Sequence, residues 1–282
     1  MFIHWFPGHM TKAIRMMREE MAVIDSVIYV LDARAPLACI NEAFNDVIGN
    51  KPRIYVLNKA DLAEPEAVEE WVKYLSSFAP CIATDSLSRA DARKLIEGLI
   101  EINAPLIEKY RAKGVARTIR AMVLGVPNSG KSTLINSLTG GKKAATGNRP
   151  GVTRGKQWVS IDRYIDLLDS PGVLYPDFRD QKKAVKLAII GSIKDDIVDI
   201  AELGLEAVKF LQNSYPDRVK ERYGIENPAE TAPLAVLGEV ALKRGLMMKD
   251  GSPDYDKTGR AIIMDIRKGY LGKIVLERVT DG

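Results

Sequence analysis

The sequence predicts an α/β fold in two parts: a mostly parallel sheet with helices on both faces over residues 1–175, then a smaller, mainly helical domain over 176–282. Three observations predict it. Short apolar runs alternate with helical patterns through the first part, as in βαβ units. After Tyr175 the alternation stops and apolar residues recur at spacings of three and four. The 282 residues also exceed a single domain of ~100–200 residues.

Taken in order, the runs Val27-Leu31, Ile54-Leu57, Cys81-Thr84, Ala121-Leu124, Trp158-Ile161 and Ile165-Leu168 predict strands, each short and apolar enough to be buried on both faces. Helices are predicted over Thr11-Met21, Pro65-Ser77, Ala90-Tyr110 and Lys131-Leu138. In the second part Ile197, Ile200, Ala201, Leu205 and Val208 predict one buried helical face. Pro216, Pro228 and Pro233 punctuate further helices, a segment near Lys257-Gly269 follows, and Ile274-Leu276 predicts a terminal strand.

Composition excludes several classes. Hydrophobic residues make up 46% and charged residues 28%, the balance of a globular chain. No apolar run reaches the ~20 residues that span a bilayer. The opening Met1-Phe2-Ile3-His4-Trp5-Phe6-Pro7-Gly8-His9 has neither basic n-region nor cleavable apolar stretch, which predicts a cytoplasmic protein, expected to be monomeric and away from membranes. Cys39 and Cys81 stand far apart without metal-ligand spacing, so they predict core thiols. Between Lys109 and Ile161 lie eleven Lys or Arg and no Asp or Glu, whereas from Pro176 onward 18 basic residues face 18 acidic ones. A polyanionic partner is therefore expected mainly near the first domain, since acid-free basic stripes are the footprint of phosphate-backbone binding.

Gly125-Val126-Pro127-Asn128-Ser129-Gly130-Lys131-Ser132 matches GxxxxGK[ST] between a predicted strand and a predicted helix. Glycines let backbone N–H groups curl around phosphate oxygens, and the helix N-terminus adds partial positive charge. Lys131 is expected on the β- and γ-phosphates, Ser132 on magnesium, and Thr133 within the same phosphate-binding turn. Asn58-Lys59-Ala60-Asp61 follows a strand and matches NKxD. The Asp61 carboxylate can accept both guanine N1–H and the exocyclic amine, a donor pair adenine lacks, so the pattern selects a guanine nucleotide. Thr84-Asp85-Ser86 ends the next strand as a loose base-supporting element. Asp169-Ser170-Pro171-Gly172 reads as DxxG, with Asp169 on magnesium through water and the Gly172 N–H towards the γ-phosphate. Thr153, in Pro150-Gly151-Val152-Thr153, is the expected switch threonine for magnesium.

Base recognition thus precedes the P-loop in the chain, the order of a circularly permuted P-loop G domain. A parallel sheet tolerates this because the loops leave one edge. DxxG then ends the G domain, which predicts that the γ-phosphate state is passed into the helical domain.

These motifs, with Trp5-Phe6-Pro7-Gly8-His9-Met10, Asp32-Ala33-Arg34 and Ser192-Ile193-Lys194-Asp195, resemble the bacterial ribosome biogenesis GTPase A (YlqF-type) family over almost the whole chain, with Ser129 in place of the usual valine. The resemblance implies a GTP-hydrolysing assembly factor of the large ribosomal subunit that binds rRNA with its helical domain and departs on hydrolysis. Val173 stands where many GTPases carry a water-positioning glutamine. The resemblance points instead to His9, whose alternative is a structural role in a packed turn. In similar GTPases an asparagine at the place of Asn128 coordinates potassium. Action on transfer RNA or the small subunit, an RNA-binding scaffold with a structural nucleotide, and ATP in place of GTP stay open at this level, because phosphate contacts carry no target identity.

Overall fold

The computed structural model describes residues 3, 8–85, 89–139, 158–170, 172, 174 and 180–281. The chain separates into two compact units, Phe6–Pro176 with Glu277–Gly282, and Asp177–Leu276 with Met1–Trp5.

The first unit runs α1 (Gly8–Met21), β1 (Ser26–Asp32), α2 (Pro36–Cys39), α3 (Glu42–Ile48), β2 (Arg53–Asn58), α4 (Pro65–Ser76), β3 (Cys81–Thr84), α5 (Arg89–Ile102), α6 (Ala104–Arg111), β4 (Ile119–Gly125), α7 (Lys131–Leu138), β5 (Trp158–Asp162) and β6 (Ile165–Asp169). The sheet order is β3-β2-β1-β4-β6-β5. All neighbours are parallel except β5, which pairs antiparallel with β6. Alternate residues explain why β1 reads as an unbroken apolar run. Ile28 and Val30 join Ile54, Val56, Ala121 and Val123 in a core closed by Leu95 and Leu99 of α5 and Leu134, Ile135 and Leu138 of α7. On the opposite face Tyr29 meets Phe44 of α3 edge-on at 5.7 Å and lies 5.8 Å from Tyr55. With helices on both faces, each strand residue of β1 is buried.

Two predicted elements of this unit are corrected, and two short helices were not predicted. The single helix expected over Ala90-Tyr110 is broken at Asn103: Pro105 has no N–H to continue the ladder, and the Asn103 amide instead donates to Leu99 O at 2.7 Å and Ser26 Oγ at 2.9 Å. The Trp158 strand is an edge rather than a two-sided core strand, with Trp158 39% exposed under the Arg120 guanidinium. The short α2 and α3 went unpredicted because each is too brief for a helical period.

The second unit comprises α8 (Gln181–Ile189), α9 (Ile200–Ser214), α10 (Pro216–Tyr223), α11 (Pro233–Lys243) and α12 (Tyr255–Lys268). Asp180, Asp199 and Asp254 cap α8, α9 and α12 by accepting from first-turn N–H groups. Pro216 and Pro233 occupy first-turn positions where a missing N–H costs nothing. The α9 and α12 backbones approach so closely at Gly204 and Gly259 that a Cβ on Gly204 would lie 2.4 Å from Gly259 Cα. The buried face of α9 is Ile200, Leu203, Gly204, Ala207, Val208 and Leu211. Ile197, predicted on that face, lies in the 3-10 turn Asp195–Ile197 and is 40% exposed. Ile274-Leu276 is buried but not a strand: the Tyr215 hydroxyl accepts from Val275 N at 2.9 Å and bonds Val275 O at 3.2 Å, replacing a neighbouring strand. No helix among the described residues is long and apolar enough to cross a membrane.

Candidate nucleotide site

The strand order reverses between β1 and β4: the chain steps outward through β2 and β3, then returns to the other side of β1. A crevice opens at the carboxyl ends of strands at such a switch point, and the nucleotide motifs stand there. Gly125-Ser132 leaves β4 and enters α7. Gly130 has φ +95°, and a Cβ on it would lie 2.0 Å from Asn58 Nδ2, so only glycine fits. Asn58, at the end of β2, donates from Nδ2 to Ser129 O at 2.7 Å. Lys59 follows with φ 59° and donates from Nζ to Asn128 O at 2.6 Å and to Asp32 Oδ2 at 2.9 Å. The guanine motif and the phosphate motif, distant in sequence, are therefore joined by two direct hydrogen bonds.

Ala60 and Asp61 form a 3-10 turn (Ala60–Leu62) that leaves the Asp61 carboxylate exposed. Asp85 follows β3 and is exposed. Lys131 is buried, donating to Gly125 O at 3.1 Å and Val126 O at 2.8 Å. Burial pushes its ammonium down to about 8, against the pull of Asp169. Asp169, at the end of β6, is pushed up by burial and drawn back by Lys131. Its Oδ1 is buried with no hydrogen-bond partner. Gly172 approaches so near that a Cβ there would meet Lys131 Nζ at 2.8 Å and Pro127 Cα at 2.8 Å. Ser132 is half-buried and Thr133 exposed in the first turn of α7. Ser86, Thr153 and Val173 lie outside the described residues, as does the His9 side chain, although His9 itself is in α1.

Residues 120–221 match the family model described as "50S ribosome-binding GTPase". The chain is 40% identical over 284 residues to the ribosome biogenesis GTPase A of Bacillus licheniformis, with 100% of each chain covered. The chain belongs to the ribosome biogenesis GTPase A family. Membership gives the coarse function, a P-loop GTPase of ribosome biogenesis. The fold agrees: a structure of GDP-bound TM YlqF superposes with TM-score 0.68 at 26% identity, covering 95% of this chain and 100% of that one. The GNP-bound YlqF from T. maritima gives TM-score 0.66 at 26% identity, covering 95% and 98%. For this family member, then, the permuted motif order stands on a mostly parallel sheet with the NKxD motif in contact with the P-loop.

Part of the basic stretch already has partners within the chain, at the surface for Arg111 and half-buried for Arg117. Arg117 reaches Asp25 at 2.5 Å and Arg111 lies 3.9 Å from Glu108, both carboxylates outside the stretch, while Lys131 belongs to the P-loop. Lys142, Lys143, Arg149, Arg154 and Lys156 fall outside the described residues. Ser192-Ile193-Lys194-Asp195 is a structural tie: Asp195 receives Arg267 at 2.7 and 3.0 Å, and Arg267 also donates to Ala188 O and Ile189 O at the end of α8. Two residues near the site carried no sequence-derived role. Asp32 ends the neighbouring strand, a charge closing a wholly buried run. Glu277 comes from the far end of the chain, and its carboxylate accepts from Leu37 N at 2.8 Å and Ala38 N at 3.2 Å.

Proposed function

We propose that the protein binds GTP and GDP at this site and uses hydrolysis to time its release from the assembling large ribosomal subunit, holding rRNA in the GTP state. The carrying observation is the pair of bonds from Asn58 and Lys59 to the P-loop carbonyls, which ties the NKxD motif to the P-loop and supports base and phosphate recognition at one site. Asp61 accepts from guanine, Lys59 covers the ring with its stem, and Ala60, Asp85 and Ser86 line the base. The N–H groups of Asn128 to Thr133 turn towards phosphate, with Lys131 on the β- and γ-phosphates and the Gly172 N–H on the γ-phosphate.

Hard oxygen donors suit magnesium, and the unpartnered buried Asp169 Oδ1 is an oxygen that a metal-bound water satisfies. Ser132 and Thr153 would hold the ion directly and Asp169 through water; when bound, it neutralises charge on the β- and γ-phosphates. Asn128 would hold potassium beside them, and His9 would orient the attacking water by a hydrogen bond from its imidazole. Gly172 stands just before the unit boundary at Pro176, so displacement of the DxxG turn passes along the chain into the helical unit, the part we assign to rRNA. The protein works in the cytoplasm as a monomer, where its ribosomal target is built.

Sedimentation with isolated large subunits tests this. The non-hydrolysable GTP analogue should carry the protein into the pellet and GDP should leave it in the supernatant. Turnover should rise with large but not small subunits. Equal pelleting in both nucleotide states, or equal stimulation by small subunits or transfer RNA, would refute it.

A further inference from the structure

Asp32 is fully buried at the end of β1, beside the P-loop strand. Its carboxylate gathers donors from two side chains: Arg34 Nε at 2.9 Å, Arg34 Nη2 at 2.8 Å and Lys59 Nζ at 2.9 Å. The Arg34 backbone N–H adds a fourth bond at 3.1 Å. Arg34 is itself only 1% exposed, so its planar fork fixes the carboxylate in one orientation. Lys59 then spans from Asp32 to the carbonyl of Asn128.

Backbone strain marks the same bond. Among the described residues, the two non-glycine positions with positive φ are Lys59 at 59° and Asn128 at 58°, the two ends of the Lys59 Nζ to Asn128 O contact. Such conformations persist only where surrounding bonds over-determine them. A buried ion cluster is a poor source of stability, since well-packed apolar residues often do as well. What a buried carboxylate supplies that an apolar side chain does not is a fixed place for an ammonium.

We propose that Asp32 is a positioning residue of the nucleotide site: oriented by Arg34, it holds Lys59 across Asn128 so that guanine motif and P-loop form one preformed cradle. The inference rests on the guanine-nucleotide reading above. Asp32 touches no nucleotide in this scheme. It acts through Lys59, by sparing the ligand the cost of ordering two strained loops.

The test is a double-mutant cycle on GDP affinity, read by titration with a fluorescent GDP. Asp32→Asn keeps the shape and removes the charge, and should weaken GDP binding by about ten-fold, the scale of one coupled interaction. Lys59→Met keeps the apolar stem and should weaken it similarly. The double variant should bind no worse than Lys59→Met alone. A merely structural Asp32 would lower the unfolding midpoint and multiply in its full factor whether or not Lys59 is present. Where Asp32→Asn does not fold because Arg34 is stranded, Asp32→Asn with Arg34→Met removes both charges and should show the same loss. GDP affinity within about two-fold of wild type in the folded variant, or equal factors in both Lys59 backgrounds, overturns the proposal. Wild-type protein that binds ADP as tightly as GDP overturns the guanine reading and this one together; selective wild type with an unaffected Asp32 variant overturns this one alone.

Discussion

Replacing Gly130 by alanine adds one methyl group at the point where the two recognition motifs touch. At φ +95° an L-residue carries strain of about 1–2 kcal/mol. The new Cβ would lie 2.0 Å from Asn58 Nδ2, so the Asn58 amide must leave, and its 2.7 Å bond to Ser129 O is lost. An unpaired buried acceptor costs about 1–3 kcal/mol more. Together these give about 2–5 kcal/mol against the nucleotide-competent arrangement, or roughly thirty-fold to a few thousand-fold in affinity. Titration with a fluorescent GDP measures the loss, and urea denaturation measures the share that falls on global stability. Asn58→Ala in the same protein separates the terms: it removes the clash but not the backbone strain, so the double variant should be weakened by less than the product of the single factors. Gly130→Ala protein that binds GDP within about three-fold of wild type would refute the claim that this contact closes the site.

Gly172→Ala should weaken the GTP analogue more than GDP, because its Cβ meets Lys131 Nζ and the Pro127 backbone, each at 2.8 Å for the nearest atom; equal losses for the two nucleotides would refute it. The Lys131 ammonium, held at about 8 by burial, releases its proton in the folded protein before the unfolded chain does at 10.5, so its contribution to stability rises with pH between those values. Phosphate binding needs the ammonium, so GDP affinity should fall above about pH 8 with net proton uptake, checked by calorimetry in buffers of different ionisation heat. Glu277→Gln should cost about 1 kcal/mol in urea denaturation, because the carboxylate that caps α2 at Leu37 and Ala38 becomes neutral. His9→Ala should leave GTP-analogue binding intact and lower ribosome-stimulated turnover by about ten-fold or more, with unchanged turnover removing His9 from the site; exchanging potassium for sodium tests Asn128 in the same assay.

The sheet was legible because β1, β2 and β4 are buried on both faces over most of their length, and two-sided burial writes itself as long apolar runs. Helix starts were legible where proline stands, as at Pro65 and Pro216, whereas the Asp254 cap of α12 was not read and that segment was placed from Lys257. What escaped depended on partners distant in sequence. The break at Asn103 requires Ser26, and the loss of a strand at Ile274-Leu276 requires the Tyr215 hydroxyl. The phosphate and guanine motifs were visible as local patterns whose chemistry fixes residue type and spacing. Asp32 was visible only as a family signature, since its task is set by Arg34 and by Lys59 just beyond the neighbouring strand.

Permutation also has a physical consequence for where the chain ends act. The Glu277 carboxylate accepts from Leu37 and Ala38 N–H in the first turn of α2 and its carbonyl accepts the Trp71 indole, while Arg278 pairs with Glu64, the residue that leads into α4. The last residues therefore clasp the two segments that follow Asp32-Ala33-Arg34 and Asn58-Lys59-Ala60-Asp61. On the reading proposed above, these segments follow the base-recognition motif and the residue that holds Lys59, rather than the P-loop itself. In the chain, the helical unit Asp177–Leu276 thus lies between the DxxG motif and this clasp. Truncation before Glu277 should consequently speed GDP release rather than hydrolysis. Stopped-flow displacement of fluorescent GDP beside single-turnover GTP cleavage separates the two, and a truncation that slows cleavage while leaving GDP release unchanged would show that the clasp serves the γ-phosphate side instead.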